Sequence, residues 1–461
     1  MTSTPAPPPL RSRSASSGGA TAPLLVLLAV LAPHLAGCAV NLMPTPNVVA
    51  QRGVDAFAQV PESRCTPCAP ILFATDRNRL DEDAPVQWYG IERSTSLAYG
   101  RCAVEFGTDL DWNSLVKSSA ASFRPAPLGL GIKSVEESGR FPITPVAIGL
   151  SEGLPVVSSE AAAEIDLAES RFGAMLADEL SCDDSGRVLL YVHGYNNTFR
   201  DACVVAGQLW HFLGRRGVVV AYSWPAGIGG LRGYTHDRES GEFTIVHLKQ
   251  LIRAIAACPQ VKQLDILAHS RGADVATTAL RELHLETAAQ SRSTRTTLKL
   301  GHLVLAAPDL DVQIVGQRIV GEGLHLVPKS FTVYFSADDN AIGLANWLFL
   351  GAVRLGGLAP GTLSRQILEG FQRYSDRITF IDVRVPTGFF GHSYFYESPA
   401  VSSDLVLLLG EDREPGAEHG RPLKHDEVGF WLIDADYPEF ETAGVNEAAA
   451  DSTRTFEVEP R

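Results

Sequence analysis

From residue 187 onward the chain alternates short unbroken apolar runs with amphipathic stretches. "RVLLYVHG", "VVVAYSWPA", "QLDILAHS", "LKLGHLVLAAPD", "SFTVYFSADD" and "RITFIDVRV" read as buried strands. "TFRDACVVAGQLWHFLGRRG", "GEFTIVHLKQLIRAIAAC" and "RGADVATTALRELHLE" keep apolar residues at helical spacing. Continuous apolar strands separated by helices predict a mostly parallel sheet with helices on both faces, the α/β class. Residues 181–410 form this core. No repeat of solenoid period is present.

Upstream, residues 61–180 are mixed and read as an N-terminal accessory region. "PILFATDRN" is a strand ending in a polar turn, and "YGIERSTSLAYGRCAVEFG" a loop then a strand. "SSEAAAEIDLAESRFGAMLADEL" is a helix with a serine cap. The segment 226–241, "AGIGGLRGYTHDRESG", reads as a loop, either a wall of the pocket or plain surface. The segment 411–461 carries 14 acids against 5 Lys/Arg. This acidic C-terminal tail is expected to keep some order at "VGFWLIDA" and to end disordered.

The N-terminus has a different pattern. Arg11 and Arg13 precede the eleven-residue apolar run "APLLVLLAVLA", far short of the roughly 20 residues a membrane-spanning helix needs. It fits a secretory signal over 1–37. "LAGC" at 35–38 resembles a bacterial lipobox, which implies lipidation of Cys38 and a tether over 38–60. Ala39 after the cysteine points to the outer membrane; the periplasmic side is the expected face, although Ala39 does not set it.

Composition narrows the partners. Hydrophobic residues are 45% and charged residues 20%, enough for a sizeable core. A net charge of −14 without a Lys/Arg block argues against nucleic acid. Cysteines stand at 38, 65, 68, 102, 182, 203 and 258. Export permits disulfides, and "CTPC" at 65–68 is expected to join a local or long-range disulfide rather than a zinc site, since no second CxxC accompanies it. No pair of histidines has metal-ligand spacing, so neither metal nor organic cofactor is expected.

Ser270, in "AHSRG", sits between a predicted parallel strand and a helix, the context of a nucleophile elbow. The strained turn demands small residues two before and two after, here Ala268 and Gly272. The oxyanion that forms needs two backbone donors. Arg271 N–H supplies one, and "YVHGYNN" the second, from Tyr195 with Asn196 as alternative. The fold then requires an acid and, after it, a histidine. Asp339 is the leading acid, with Asp338 and Asp309 (beside Asp311) as alternatives. His392, in "TGFFGHSYF", is the leading base and His425 its rival. His193 and His269 are expected to pack or hydrogen-bond rather than act as bases.

The ordered set "LMPTPN", "ATDRN", "YGIERSTSLAYG", "HGYNNTFRDA", "SWPA", "AHSRG", "LAAPDLD", "SADDNAI" and "GHSYF" resembles the DUF900 family of bacterial α/β-hydrolases, over residues 42 to 400. The resemblance implies an α/β-hydrolase fold and a Ser-Asp-His triad, with the acid on Asp339 and the base on His392. It names no substrate. The expectation is a carboxylesterase-like serine hydrolase acting on an ester-containing small molecule or lipid. The alternative is a catalytically silent envelope lipoprotein that keeps the fold for binding.

Overall fold

The computed structural model describes residues 40–80, 88–342, 353–359, 361, 365–386, 391–426 and 429–440. The expected signal segment 1–37, the expected lipidation site Cys38 and the acidic end 441–461 lie outside the described residues.

Twelve strands form one sheet. They are β1 (Val40–Asn41), β2 (Cys68–Arg79), β3 (Tyr89–Phe106), β4 (Gly129–Arg140), β7 (Arg187–Val192), β8 (Val218–Ser223), β9 (Gln263–His269), β10 (Leu300–Ala306), β11 (Ser330–Phe335), β12 (Ile378–Arg384), β13 (Lys424–His425) and β14 (Trp431–Asp434). A separate exposed hairpin holds β5 (Ile148–Ser151) and β6 (Leu154–Val157). The order across the large sheet is β1-β4-β3-β2-β8-β7-β9-β10-β11-β12-β14-β13. From β2 to β14 every neighbouring pair is parallel, and β1, β3, β4 and β13 pair antiparallel at the edges.

Successive residues of a strand point to opposite faces, and β7 shows the consequence. Val188, Leu190 and Val192 join one apolar cluster with Ile252 and Ala276 from the helices Gly230–Ala257 and Gly272–Ala289. Leu189 and Tyr191 join the other, with Leu209 and Leu405 from the helices Phe199–Phe212 and Pro399–Leu405. Each such side chain buried from water contributes about 1.5–3 kcal/mol. A strand fed from both faces has no polar face, which is why these runs are unbroken in the sequence.

β7 is flanked by β8 on one side and β9 on the other. The chain direction across the sheet reverses there, and the carboxyl ends of β7 and β9 open a crevice of the kind where parallel sheets bind ligands.

Several expectations are corrected. The segment 61–180, expected as an N-terminal accessory region, joins the same sheet through β2, β3 and β4, with β2 pairing parallel with β8. The stretch "YGIERSTSLAYG" lies in the continuous strand β3 rather than in a loop. Residues 40–60 are not a free tether. Leu42, Met43, Val48, Val49, Phe57 and Val60 are buried, and the Val48 N–H donates to Ser403 Oγ at 3.1 Å. The loop expected at 226–241 is mostly helix, which begins at Gly230. The 411–440 part of the expected tail is anchored. β14 pairs with β12, and Arg421, fully buried, holds Asp404 through two hydrogen bonds of 2.8 and 2.6 Å. The expected disulfide is absent among the described residues, where Cys65, Cys68, Cys102, Cys182, Cys203 and Cys258 are free thiols. The 64–68 stretch is held instead by Arg215, which donates to the carbonyls of Arg64, Thr66 and Cys68.

Candidate active site

Ser270 directly follows β9, with φ at 52°. A side chain in this left-handed region is strained by about 1–2 kcal/mol, so surrounding structure must hold it. The Ser270 N–H donates to the Ala306 carbonyl at 2.9 Å, and the Ser270 carbonyl accepts from the N–H groups of Ala273 at 3.1 Å and Asp309 at 3.2 Å. Gly272 is a steric necessity. A Cβ there would lie 2.2 Å from the His193 carbonyl oxygen, so the loop after β7 rests directly on the first turn of the helix. Ala268 is fully buried beneath.

His392 stands on the loop after β12. Its Nε2 is 2.7 Å from Ser270 Oγ, and its Nδ1 is 2.7 Å from Asp339 Oδ2. The other Asp339 oxygen accepts the Ile342 N–H at 3.0 Å, which fixes the carboxylate plane. The three leading residues of the sequence thus form one hydrogen-bonded chain. Two aromatics that follow His392 secure its loop. Tyr394 donates its hydroxyl to the Tyr334 carbonyl at 2.9 Å, and Phe395 packs on the His269 ring with centroids 4.7 Å apart. Burial disfavours the His392 imidazolium, but the charge and hydrogen bond of Asp339, helped by Asp309 and Glu397, raise its pKa above the ordinary value.

The alternatives are placed elsewhere. Asp338 is exposed. Asp309 is engaged by the Tyr234 hydroxyl at 2.6 Å and by Arg354 at 3.3 Å. Asp311 accepts the N–H groups of Gln313 and Ile314 as a helix cap. His425 stacks on Trp431 at the sheet edge. His269 Nε2 lies 3.2 Å from the His392 carbonyl, and burial, then His392 and His193, push its pKa well down. It is therefore a neutral donor that braces the His392 loop. His193 stacks on Trp224, and burial and Arg77 lower its pKa to about 3.

Facing the serine is the loop after β7. Among the described residues the N–H groups of Tyr195 and Arg271 have no hydrogen-bond acceptor. The alternative donor, Asn196, is already spent, its N–H donating to Asp237 Oδ2 at 2.9 Å.

One residue that sequence reasoning missed organises this loop. Arg77, from "ATDRN", is fully buried. Its guanidinium donates to the carbonyls of Asn197 at 2.7 Å, Ala226 at 2.7 Å and Gly90 at 3.0 Å, and to Ser223 Oγ at 2.8 Å. Its Nη2 also lies 3.3 Å from His193 Nε2. The loops after β7 and β8 and the start of β3 are thus tied to one side chain. Trp224, from "SWPA", adds an Nε1–H bond to the His193 carbonyl at 2.8 Å. The signal lay in two motifs that gave no role by themselves.

Among the described residues no group of three or more His, Cys, Asp or Glu could hold a metal ion.

Among solved structures, an esterase from Pyrobaculum calidifontis is similar, at 10% identity and a TM-score of 0.27, over 54% of this chain and 93% of that one. No curated protein matches. The family model described as "Alpha/beta hydrolase of unknown function (DUF900)" matches residues 168–411, a span that runs from the helix before β7 past the His392 loop. The chain belongs to this DUF900 family of alpha/beta hydrolases.

Proposed function

We propose that the chain is a serine hydrolase that cleaves carboxylic esters through an acyl-enzyme. The observation that carries this is the continuous chain Asp339–His392–Ser270, with both bonds at 2.7 Å and the serine on a strained turn. Ser270 Oγ attacks the ester carbonyl while His392 Nε2 takes its proton. Asp339 holds the Nδ1–H tautomer and stabilises the imidazolium that forms. The carbonyl oxygen becomes an oxyanion and accepts the N–H groups of Tyr195 and Arg271. Pre-aimed donors of this kind are worth about 2.7–4 kcal/mol each. Collapse expels the alcohol, which takes the proton back from His392. Water, deprotonated by the same imidazole, then cleaves the acyl-enzyme.

The test is labelling by a fluorophosphonate probe. Labelling that disappears in Ser270→Ala and His392→Ala supports the mechanism. A folded chain that does not label would make it a binding module instead.

We also infer from the sequence that the protein is an envelope lipoprotein, anchored through Cys38 to the outer membrane on its periplasmic side. Among the described residues no helix is long and apolar enough to cross a membrane. Metabolic incorporation of an alkyne fatty acid, lost in Cys38→Ser, tests the anchor.

A further inference from the structure

A cavity of about 190 Å³ adjoins the elbow, between the first turn of the helix Gly272–Ala289, the helix Gly230–Ala257 and the loop after β10. Two links tie it to Ser270. Arg271, on its wall, follows the serine in the chain, and Asp309, also on its wall, donates its N–H to the Ser270 carbonyl. The wall is charged rather than apolar. Arg238, Arg271, Arg318 and Arg354 stand there with four carboxylates, so the formal charge balances.

The hydrogen-bonding capacity does not balance. Asp309 is engaged by Tyr234 and Arg354, and Asp311 by two backbone N–H groups. Asp274 is engaged by Arg271 Nη2 at 3.0 Å. The fourth, Glu242, is exposed. The arginines keep donors in reserve. Arg271 is 8% exposed, makes that single ion pair, and its Nε is buried without a partner. Arg318 is half-buried and Arg238 exposed, and neither makes an ion pair among the described residues. The buried unfilled Arg271 Nε favours a ligand that accepts hydrogen bonds, and a guanidinium fork fits a carboxylate. A neutral alkyl chain would leave it unfilled and is selected against.

We propose that this cavity is a subsite for a carboxylate carried by the ester that Ser270 attacks, with Arg271 and Arg318 as its ligands. The proposal rests on the serine-hydrolase function above, and it makes the substrate an anionic ester rather than a long-chain lipid.

The experiment compares kcat/KM of the full chain for mono-p-nitrophenyl glutarate and p-nitrophenyl valerate, which differ at the acyl end in a carboxylate against a methyl. The expected result is a preference for the glutarate ester that falls about tenfold or more in Arg271→Met, as loss of a charge-assisted contact dictates. The half-buried Arg318→Met gives the same direction where Arg271→Met fails to fold. A parent preference for valerate, or an unchanged ratio in both variants, overturns the subsite. Free glutarate titrated calorimetrically into Ser270→Ala separates the two levels. Binding that Arg271→Met abolishes supports the subsite even if no fluorophosphonate labels the parent, which would sink the hydrolase function alone. Absence of glutarate binding beside normal labelling sinks the subsite alone.

Discussion

Gly194 and Ser270 lie in contact across the crevice, so that a Cβ on Gly194 would sit 2.8 Å from the Cβ of the serine and 2.9 Å from His269 Nδ1. The loop carrying the Tyr195 N–H thus approaches Ser270 as closely as backbone can. In Gly194→Ala the added methyl must displace one loop or the other. Oxyanion donors act over a few tenths of an ångström, and loss of one costs about 100- to 1000-fold in kcat. The expected outcome is a fall of that order in ester turnover, with fluorophosphonate labelling slowed alongside. A Gly194→Ala variant with parental kinetics would show that this loop does not hold the oxyanion.

His392 gives the pH dependence its sign. In the proposed mechanism His392 must be neutral to accept the serine proton, and Asp339 raises its pKa. Turnover is therefore expected to rise with pH through an apparent pKa above about 6.5. In Asp339→Asn the charge that raises the pKa is gone, so the limb moves to lower pH while the plateau falls, by about 10⁴-fold where the tautomer is lost. A limb that stays in place in Asp339→Asn would separate this pair from the titration. The same shift bears on folding in the opposite sense. The His392 contribution to stability is fully present below about pH 6.5 and is lost as the pH rises through the folded pKa.

The Asp339–His392–Ser270 chain was legible because each member carries a local signature. Ser270 has small neighbours between strand and helix, Asp339 follows an apolar strand, and His392 is followed by aromatics that lock its loop. The fold forces their chain order, and the family resemblance implied Asp339 over Asp338 and Asp309, and His392 over His425. Arg77 was not legible, because its partners are carbonyls at positions 90, 197 and 226, and a carbonyl has no sequence signature. The start of the helix at Gly230 was hidden by "GIGGLRGY", whose glycines read as loop. Likewise Leu42, Met43, Val48 and Val49 are too few to declare a periodicity, yet all are buried. The order at "VGFWLIDA" was visible, but not that Arg421 anchors the preceding stretch, since Asp404 lies on a different element.

Arg77 should position the loop after β7 rather than touch substrate. Removing its guanidinium in Arg77→Met strands three carbonyls in the interior. Hydrogen bonds to charged groups contribute about 1.5–3 kcal/mol each, so a stability loss of at least about 3 kcal/mol is expected in urea unfolding. Arg77→Lys keeps the charge without the fork and should recover part of the stability but little of the rate. The ratio of oxoester to thionoester turnover tests positioning itself. A hole tuned to oxygen loses that discrimination when its donors shift, whereas general loosening slows both substrates equally.

Asp404 offers a test of whether the segment after residue 410 is part of the folded unit. Its carboxylate is fully buried and accepts two bonds from Arg421 and the hydroxyls of Tyr334 and Tyr437. Without Arg421 the carboxylate keeps two hydroxyl donors but no counter-charge. Breaking a buried pair from one side costs about 3–5 kcal/mol, and that loss is expected for Arg421→Ala in urea unfolding. The exposed pair Lys424–Glu439 lies three residues further along. Lys424→Ala should change stability by no more than about 0.5 kcal/mol, as exposed pairs do. If both substitutions are equally mild, the segment is peripheral and β14 adds little to the sheet. A large loss confined to Arg421→Ala would show that a stretch rich in acidic residues is held in the fold by one buried cation.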